Sequence, residues 1–127
     1  MKGENRKLIL VVDDDYKLLH LIRDALEFYG FSVVIATTGP RALDKLKEFT
    51  PDLFILDIKM EPMNGFDLCH EIRKMYAFKN TPVFFFTGVN EALAQKFSKT
   101  IGVQSYVSKP VEIDDLVARI KAALSIP

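Results

Sequence analysis

Short apolar runs alternate with helix-patterned segments along this chain, and the alternation constrains its fold more than any other feature. The runs are rich in β-branched and aromatic residues and too short for helices, as expected of strands buried on both faces of a sheet. They cover residues 8–12, 33–36, 53–56, 83–86 and 106–107. Apolar residues at helical spacing follow them at 18–29, 42–46, 66–75, 90–100 and 111–124, the fourth segment being the most weakly patterned.

Strands that alternate with helices predict a parallel sheet, because two parallel strands must be joined by a crossover that covers one face. Turn residues support the same boundaries, with Gly30 after the first helix and Gly39-Pro40 at the start of the second. We therefore predict a doubly wound α/β fold, with a five-stranded parallel sheet and helices on both faces. Functional residues are expected beyond the carboxyl ends of the strands, where such sheets bind ligands.

Composition narrows the classes of function. The 127 residues, 49% of them hydrophobic, suit a single domain spanning 1–127 with its core at about 7–124. The 17 basic residues equal the 17 acidic ones, so the chain lacks the basic excess of a nucleic-acid reader and no direct nucleic-acid partner is expected. The apolar runs are too short to span a membrane, and the single Cys69 forms no internal disulfide, so a cytoplasmic protein is expected.

Polar residues that carry chemistry follow four of the five predicted strands. They are Asp13, Asp14 and Asp15 after the first strand, Asp57 after the third, Thr87 after the fourth and Lys109 after the fifth. Carboxylates about 6 Å apart repel by roughly 3 kcal/mol at an effective dielectric constant of about 20, so the group needs a cation. Clustered oxygen ligands favour Mg²⁺, and a carboxylate can itself attack a phosphoryl group. The pattern predicts a magnesium-assisted phosphoryl-transfer site with Asp57 as the nucleophile.

Each of these residues alone has an ordinary structural explanation. An acidic residue after a strand is often a helix N-cap, which is the interpretation we favour for Asp15. A single Asp57, Thr87 or Lys109 at a strand end is also more often structural than functional. Their joint placement at one edge supports the phosphoryl-transfer interpretation, in which the Thr87 hydroxyl and the Lys109 ammonium contact phosphoryl oxygens.

Five segments of the chain resemble the receiver domains of two-component response regulators, over residues from about 8 to 124. The segments are Leu-Val-Val-Asp-Asp-Asp at 10–15, Leu-Asp-Ile-Lys-Met at 56–60, Met-Asn-Gly at 63–65, Phe-Thr-Gly at 86–88 and Tyr-Val-Ser-Lys-Pro at 106–110. Their common order and spacing make the resemblance specific. It implies the flavodoxin-like strand order 2-1-3-4-5.

The resemblance assigns a role to the polar residues at the sheet edge. It implies that Asp57 is the phosphoacceptor and that Lys109 contacts the phosphoryl group. It also implies that Thr87 and Tyr106 form a conformational switch, in which the phosphoryl group biases two pre-existing states. The peptide between Lys109 and Pro110 is expected to be cis.

The resemblance further implies a cofactor and partners. Mg²⁺ would be bound directly by Asp14 and Asp57, through water by Asp13, and by the main-chain carbonyl of Lys59. The phosphoryl donor would be a sensor histidine kinase or a histidine phosphotransfer domain. The domain would be a signalling switch rather than an enzyme for metabolites, although it assists its own phosphorylation and dephosphorylation. A homodimer through the fourth helix, fifth strand and fifth helix would be a further partner interface.

The loop after the expected phosphoacceptor departs from the family pattern. Glu61 stands where proline is usual, Pro62 comes one place late, and Asn64 stands where aspartate is common. The interval from Asp57 to Gly65 is nevertheless preserved. We therefore expect altered rates of phosphorylation or hydrolysis without loss of the chemistry.

Three other functions compete with this interpretation. A flavin- or nucleotide-binding module shares the sheet, but it cradles phosphate at the first helix N-terminus, where this chain has three aspartates. An aspartyl-phosphate phosphohydrolase usually has a second aspartate two residues after its nucleophile, where this chain has Lys59. A receiver-like protein-binding module that acts without phosphorylation stays open, because the Glu61-Pro62 loop is unusual.

Overall fold

The computed structural model describes residues 6–88 and 105–127. Within these residues the elements are, in chain order, β1 (Leu8–Val12), α1 (Tyr16–Phe28), β2 (Ser32–Ala36), α2 (Gly39–Lys45), β3 (Leu53–Asp57), α3 (Gly65–Arg73), a short 3-10 helix (Tyr76–Phe78), β4 (Val83–Thr87), β5 (Ser105–Ser108) and α4 (Ile113–Ala123). The predicted helix at 90–100 lies outside the described residues, so α4 is the fifth helix of the sequence prediction. None of these helices is both long enough and apolar enough to cross a membrane.

The five strands form one parallel sheet in the order β2-β1-β3-β4-β5. This topology confirms the strand order and the parallel α/β fold expected from the sequence. In the register of the central strands, Val12 lies opposite Leu56 and Asp57 lies opposite Phe86. The carboxyl ends of the strands therefore meet at one edge, and the residues that follow them are neighbours across the sheet.

Helices cover both faces of the sheet, and each face has its own apolar layer. Successive side chains of a strand point to opposite faces, so alternate residues enter different layers. One layer packs α2 and α3 against Leu10, Val12, Phe54, Leu56 and Phe85. The other packs α1 and α4 against Ile9, Val11, Ile55, Phe84 and Phe86. This two-sided packing buries β1, β3 and β4 almost completely and holds their carboxyl ends in place.

The edge strand β2 corrects one expectation. The sequence predicted strands buried on both faces, but in β2 only Ala36 is buried and the other residues are half-buried. An edge strand has a neighbour on one side only, so water reaches its flank. The burial of β2 was therefore overestimated from its apolar composition.

Capping residues place the starts of two helices beside the strand ends. Asp15 caps α1, where its Oδ1 accepts the backbone N–H of Leu18 at 3.1 Å, as expected. Asn64 caps α3 through a reciprocal pair of hydrogen bonds with Asp67. At its other end α1 stops before Gly30, whose φ of 95° lies in the left-handed region that glycine tolerates best.

Candidate functional site

Three aspartates lie together at the carboxyl edge of the sheet. Asp13 and Asp14 directly follow β1, and Asp57 is the last residue of the neighbouring strand β3. One carboxylate oxygen from each residue lies within 4.8 Å of the other two. Asp13 and Asp57 are buried, whereas Asp14 is exposed. The aspartate cluster therefore has a buried side and a side open to solvent.

The neighbours of Asp13 fix its position. Its backbone N–H donates to the Ala36 carbonyl at 3.2 Å, and its Oδ1 accepts the backbone N–H of Asp15 at 2.9 Å. Its Oδ2 lies 2.9 Å from Lys109 Nζ, but this buried atom accepts no well-directed hydrogen bond within the described residues. A buried carboxylate oxygen in that state keeps a lone pair for a cation or a water molecule.

Lys109 brings a positive charge to both buried carboxylates. Its Nζ lies 2.9 Å from Asp13 Oδ2 and 3.3 Å from Asp57 Oδ1. Its backbone N–H donates to the Thr87 carbonyl at 3.1 Å. The Lys109–Pro110 peptide is cis, as the resemblance implied. Lys109, the residue after β5, therefore contacts residues at the carboxyl ends of β1, β3 and β4.

Burial governs the protonation of the cluster. The pKa of Asp57 is raised to about 6, mainly by burial and next by the charge of Asp13, while Lys109 opposes the shift. Burial also raises the pKa of Asp13, outweighing the contact with the Lys109 ammonium, which lowers it. For Lys109, burial alone would lower the pKa, but its contacts with Asp13 and Asp57 outweigh burial and the pKa is raised. The site therefore favours additional positive charge, because one ammonium does not offset the burial of two carboxylates.

Thr87 and Tyr106, the two expected switch residues, lie on neighbouring strands. Thr87 is buried at the end of β4, and Tyr106 lies opposite Phe85 across the β4–β5 pair. The rings of Phe85 and Tyr106 are 5.7 Å apart between centroids. Because Phe85 and Thr87 are two residues apart in one strand, they point to the same face of the sheet. The structure thus brings both residues to one face, while their switching roles stay predictions.

The loop after Asp57 folds back onto the end of β3. The backbone N–H of Gly65 donates to the Ile58 carbonyl at 2.9 Å. A Cβ on Gly65 would collide with the main-chain carbonyl of Asp57, so only glycine allows this approach. The preserved interval between the two residues therefore has a steric reason. The departures from the family pattern are accommodated within the loop, where the Glu61–Pro62 peptide is cis and Asn64 is the helix cap.

Side chains alternate between core and solvent along this loop. Ile58 and Met60 are buried, whereas Lys59 and Glu61 are exposed. A cavity of about 480 Å³ lies on the open side of the aspartate cluster and is lined by Asp14, Lys59, Met60 and Glu61. The Lys59 backbone lies at this rim, and metal binding by its carbonyl stays a prediction.

The donor atoms of the cluster fit Mg²⁺. All three side chains offer carboxylate oxygens, which are the hard ligands that Mg²⁺ prefers. The Oδ2 of Asp13 is buried and lacks a well-directed hydrogen bond within the described residues, so a cation or its water would satisfy it. Asp14 is open to solvent, where Mg²⁺ could keep part of its hydration shell. The residues present are therefore those that a magnesium site needs.

An apolar groove beside the site was missed by the sequence reasoning. It has a volume of about 450 Å³ and is lined by Leu18, Leu21, Ile22, Lys109, Pro110, Val111 and Ile113. Leu21 belongs to the apolar residues at helical spacing in 18–29, but its side chain is 61% exposed. The available signal was that the apolar residues of α1 are too numerous for one face of the helix.

Comparison with known proteins identifies the family. A family model described as the response regulator receiver domain matches residues 9–121. The chain therefore belongs to the response regulator receiver domain family, whose members are signalling switches of two-component systems. This result confirms the resemblance stated from the sequence motifs.

Curated relatives are longer regulators. The transcriptional regulatory protein CpxR of Escherichia coli strain K12 is 38% identical over 116 residues, which cover 91% of this chain and 48% of CpxR. The DNA-binding response regulator MtrA of Mycobacterium tuberculosis is 34% identical over 119 residues, which cover 94% of this chain and 51% of MtrA. The chain thus spans about half the length of the curated relatives it matches.

A solved structure of similar size supports the same conclusion. The CheY-like response regulator receiver domain protein from Methanospirillum hungatei superimposes with a TM-score of 0.88. It is 33% identical in sequence, and the match covers 95% of each chain. The family model match shows the family, and the structural match agrees with it in fold.

Proposed function

We propose that this receiver domain takes a phosphoryl group onto Asp57 from the phosphohistidine of a sensor histidine kinase or a histidine phosphotransfer domain, with Mg²⁺ as cofactor. One observation carries the proposal: Asp13, Asp14 and Asp57 meet within 4.8 Å, and the Lys109 ammonium contacts the two buried ones. Phosphoryl transfer depends mainly on positioning and on neutralising charge, and this arrangement is suited to both.

The proposed reaction exchanges one bond of phosphorus for another. A carboxylate oxygen of Asp57 attacks the phosphorus, and the bond between phosphorus and the donor imidazole nitrogen breaks. That nitrogen keeps the bonding electron pair, and the ring takes up a proton and leaves as neutral imidazole. The product on this chain is an acyl phosphate of Asp57. Lys109, whose Nζ is 3.3 Å from Asp57 Oδ1, holds its charge beside the attacking group.

Mg²⁺, when bound, supplies a Lewis acid that neutralises charge on the phosphoryl oxygens. We assign Asp14 and Asp57 as its direct ligands, Asp13 as a ligand through water, and the main-chain carbonyl of Lys59 as a further ligand. The exposure of Asp14 supports this assignment, as does the Oδ2 of Asp13, which lies 2.9 Å from Lys109 Nζ but accepts no well-directed hydrogen bond within the described residues.

In this proposal Thr87 and Tyr106 couple the site to the surface. The Thr87 hydroxyl donates to a phosphoryl oxygen, and Tyr106 repacks against Phe85 on the same face of the sheet. The output interface, including a homodimer, would comprise β5, α4 and the predicted helix at 90–100, which lies outside the described residues. We assign this chain no direct contact with nucleic acid and a cytoplasmic location.

The groove beside Lys109 is where we place the phosphoryl donor. Asp57 is 5% exposed, so a protein that delivers a phosphoryl group must contact the rim of the site. Lys109 and Pro110 belong both to this rim and to the apolar groove between α1 and α4. The exposed Leu21 gives the donor an apolar contact on α1.

The first test is the intact mass of the protein after incubation with acetyl phosphate, with and without Mg²⁺, followed by peptide mapping. We expect a magnesium-dependent gain of one phosphoryl group on Asp57, and no gain in Asp57→Ala. The control Asp24→Ala removes an exposed aspartate from α1 and should leave the gain unchanged. Stable labelling of Asp57→Ala at another residue would show that the phosphoacceptor is misassigned. No gain in the wild type, from acetyl phosphate or from a kinase donor, would favour the binding module that acts unphosphorylated.

The second test separates the donor interface from the chemistry. Leu21→Arg should slow transfer from a phosphorylated histidine phosphotransfer domain but leave the acetyl phosphate reaction unchanged, because the small donor does not need the groove. The matched control Tyr76→Arg changes another exposed apolar residue, which is 86% exposed on the 3-10 helix, and should slow neither reaction. Equal transfer rates for Leu21→Arg and the wild type would place the donor elsewhere.

A further inference from the structure

Glu61 adds a negative charge to the rim of the site at a position that receiver domains usually fill with proline. Along the loop, Met60 points into the core and Glu61 points to solvent. Glu61 lines the 480 Å³ cavity together with Asp14, Lys59 and Met60. The alternation of the loop therefore brings a carboxylate to the open side of the aspartate cluster.

The charge of Glu61 has no counterion within the described residues. Its carboxylate makes no ion pair or hydrogen bond with another residue of 6–88 or 105–127, and in particular none with Lys59, two residues away. The inner part of the same site holds the buried Oδ2 of Asp13, which lacks a well-directed hydrogen bond from these residues. Within the described residues, the rim thus adds a carboxylate without a counterion to a site whose interior holds two buried carboxylates beside the single ammonium of Lys109.

Mg²⁺ binds few protein ligands directly and keeps several of its water molecules. On the open side of this cluster those waters would extend into the cavity that Asp14 and Glu61 share. A carboxylate that is too far away to bind the ion can still accept hydrogen bonds from its waters, and a hydrogen bond through water is nearly as favourable in enthalpy as a direct hydrogen bond.

We propose that Glu61 is an outer ligand of the hydrated Mg²⁺ and raises the affinity of this receiver for the ion. The inference rests on the proposed function, because it needs an ion held by Asp14 and Asp57. Glu61 is a positioning residue, since it acts through water molecules and does not touch the phosphoryl group. A unit charge about 6 Å from a divalent ion in water changes affinity by about tenfold at low salt, and screening reduces the effect. We expect a loss of about three- to tenfold when the charge is removed.

The test is calorimetric titration of the full chain with MgCl₂ at low salt, a readout that does not depend on phosphorylation. Glu61→Gln keeps the size of the side chain and should weaken Mg²⁺ binding by the stated factor. Glu61→Asp keeps the charge and should retain more affinity than Glu61→Gln. The matched control Glu27→Gln removes the same charge from the exposed last turn of α1, whose 13 residues extend about 20 Å, and should bind as the wild type does.

The possible outcomes separate this inference from the proposed function. Equal binding by Glu61→Gln and the wild type, with binding weakened in Asp14→Asn, would overturn the inference and leave the magnesium site intact. Equal weakening by Glu27→Gln and Glu61→Gln would also overturn it, because net charge alone would then explain the effect. Absence of Mg²⁺ binding by the wild-type chain would overturn both.

Discussion

Phe54 and Asp57 lie three residues apart on β3 and are both buried, but burial has opposite consequences for them. Phe54 packs edge to face on Phe78, with ring centroids 5.3 Å apart, and removing this apolar surface from water stabilises the fold. Burial of Asp57 removes a carboxylate from water and raises its pKa to about 6. The same strand therefore supports the core at its middle and carries an energetic cost at its carboxyl end.

The contrast between the core and the carboxyl end of β3 indicates where a ligand can act on this molecule. The two apolar layers bury hydrophobic side chains, whereas the aspartate cluster buries the carboxylates of Asp13 and Asp57 beside a single ammonium, that of Lys109. A cation or a change of covalent state at Asp57 therefore alters the free energy of the site directly. The predictions below test this division, from the largest expected effect to the smallest.

Phe54→Ala should give the largest change. It removes a fully buried ring and leaves a cavity between β3 and the 3-10 helix, so the free energy of unfolding should fall by about 3–5 kcal/mol. Urea unfolding followed by circular dichroism measures the loss. The control Tyr76→Ala truncates a ring that is 86% exposed and should change stability by less than about 0.5 kcal/mol. Similar losses for the two variants would mean that the aromatic layer does not carry the stability.

Asp57→Asn should raise the free energy of unfolding of the metal-free protein, the opposite of the effect of Phe54→Ala. A carboxyl pKa raised from 3.8 to about 6 means that the native state binds more protons than the unfolded state between these values, so stability falls as pH rises through the interval. Above about pH 6 the full cost is about 3 kcal/mol, which the neutral amide avoids. Urea unfolding in chelator should show this advantage of Asp57→Asn at about pH 7.5 and a smaller one at about pH 5. A difference independent of pH would contradict the assigned cause.

Asp14→Asn should separate metal binding from stability. Asp14 is exposed, so the substitution should leave the unfolding free energy in chelator nearly unchanged. Loss of a direct carboxylate ligand should weaken Mg²⁺ binding by about tenfold or more, corresponding to about 1.4 kcal/mol. Calorimetric titration measures the affinity, with Asp24→Asn as the control for net charge. An unchanged affinity would remove Asp14 from the metal site.

Asn64→Ala should give the smallest change, a slight fall in the free energy of unfolding. Its side chain accepts the backbone N–H of Asp67 at 2.8 Å, and loss of such a cap costs about 1 kcal/mol. Asn64→Asp keeps a capping side chain and introduces the residue that receiver domains commonly have there. This variant should be as stable as the wild type. Urea unfolding of the three proteins tests this, and a larger loss for Asn64→Asp than for Asn64→Ala would show that the residue does more than cap α3.

Much of the fold was predictable because its signals are local. The first strand was predicted with its observed bounds, and the others differ by a residue or two at their ends. Turn residues and helical spacing likewise indicated α1 and α3. The predicted burial of β2 was wrong because the pairing of a strand with other strands decides whether it lies at the edge or the centre of the sheet. Helical spacing in 18–29 did not show that Leu21 is exposed for a similar reason, since α1 packs through one face only.

The candidate site was also predictable only in part, because local patterns do not show which remote segments meet. The sequence identified which residues follow the strand ends, and the structure brings Asp13, Asp14, Asp57 and Lys109 together there. It also identified Asn64 and Gly65 as part of the motif. The reason for the glycine, its close approach to the Asp57 carbonyl, was not visible until the loop was folded. The apolar groove and the cavity lined by Glu61 were not predicted, because each joins side chains from separate segments.

The sequence by itself determined the order of elements, the parallel sheet and the chemical groups at its carboxyl edge, because periodicity and turn chemistry depend on neighbouring residues. Only the tertiary structure decided how those groups meet. Lys109 contacts Asp57 across 52 positions of the chain, and burial between two packed layers raises the pKa of that aspartate. Distances and burial of this kind arise from packing between remote segments, and for that reason no local pattern encodes them.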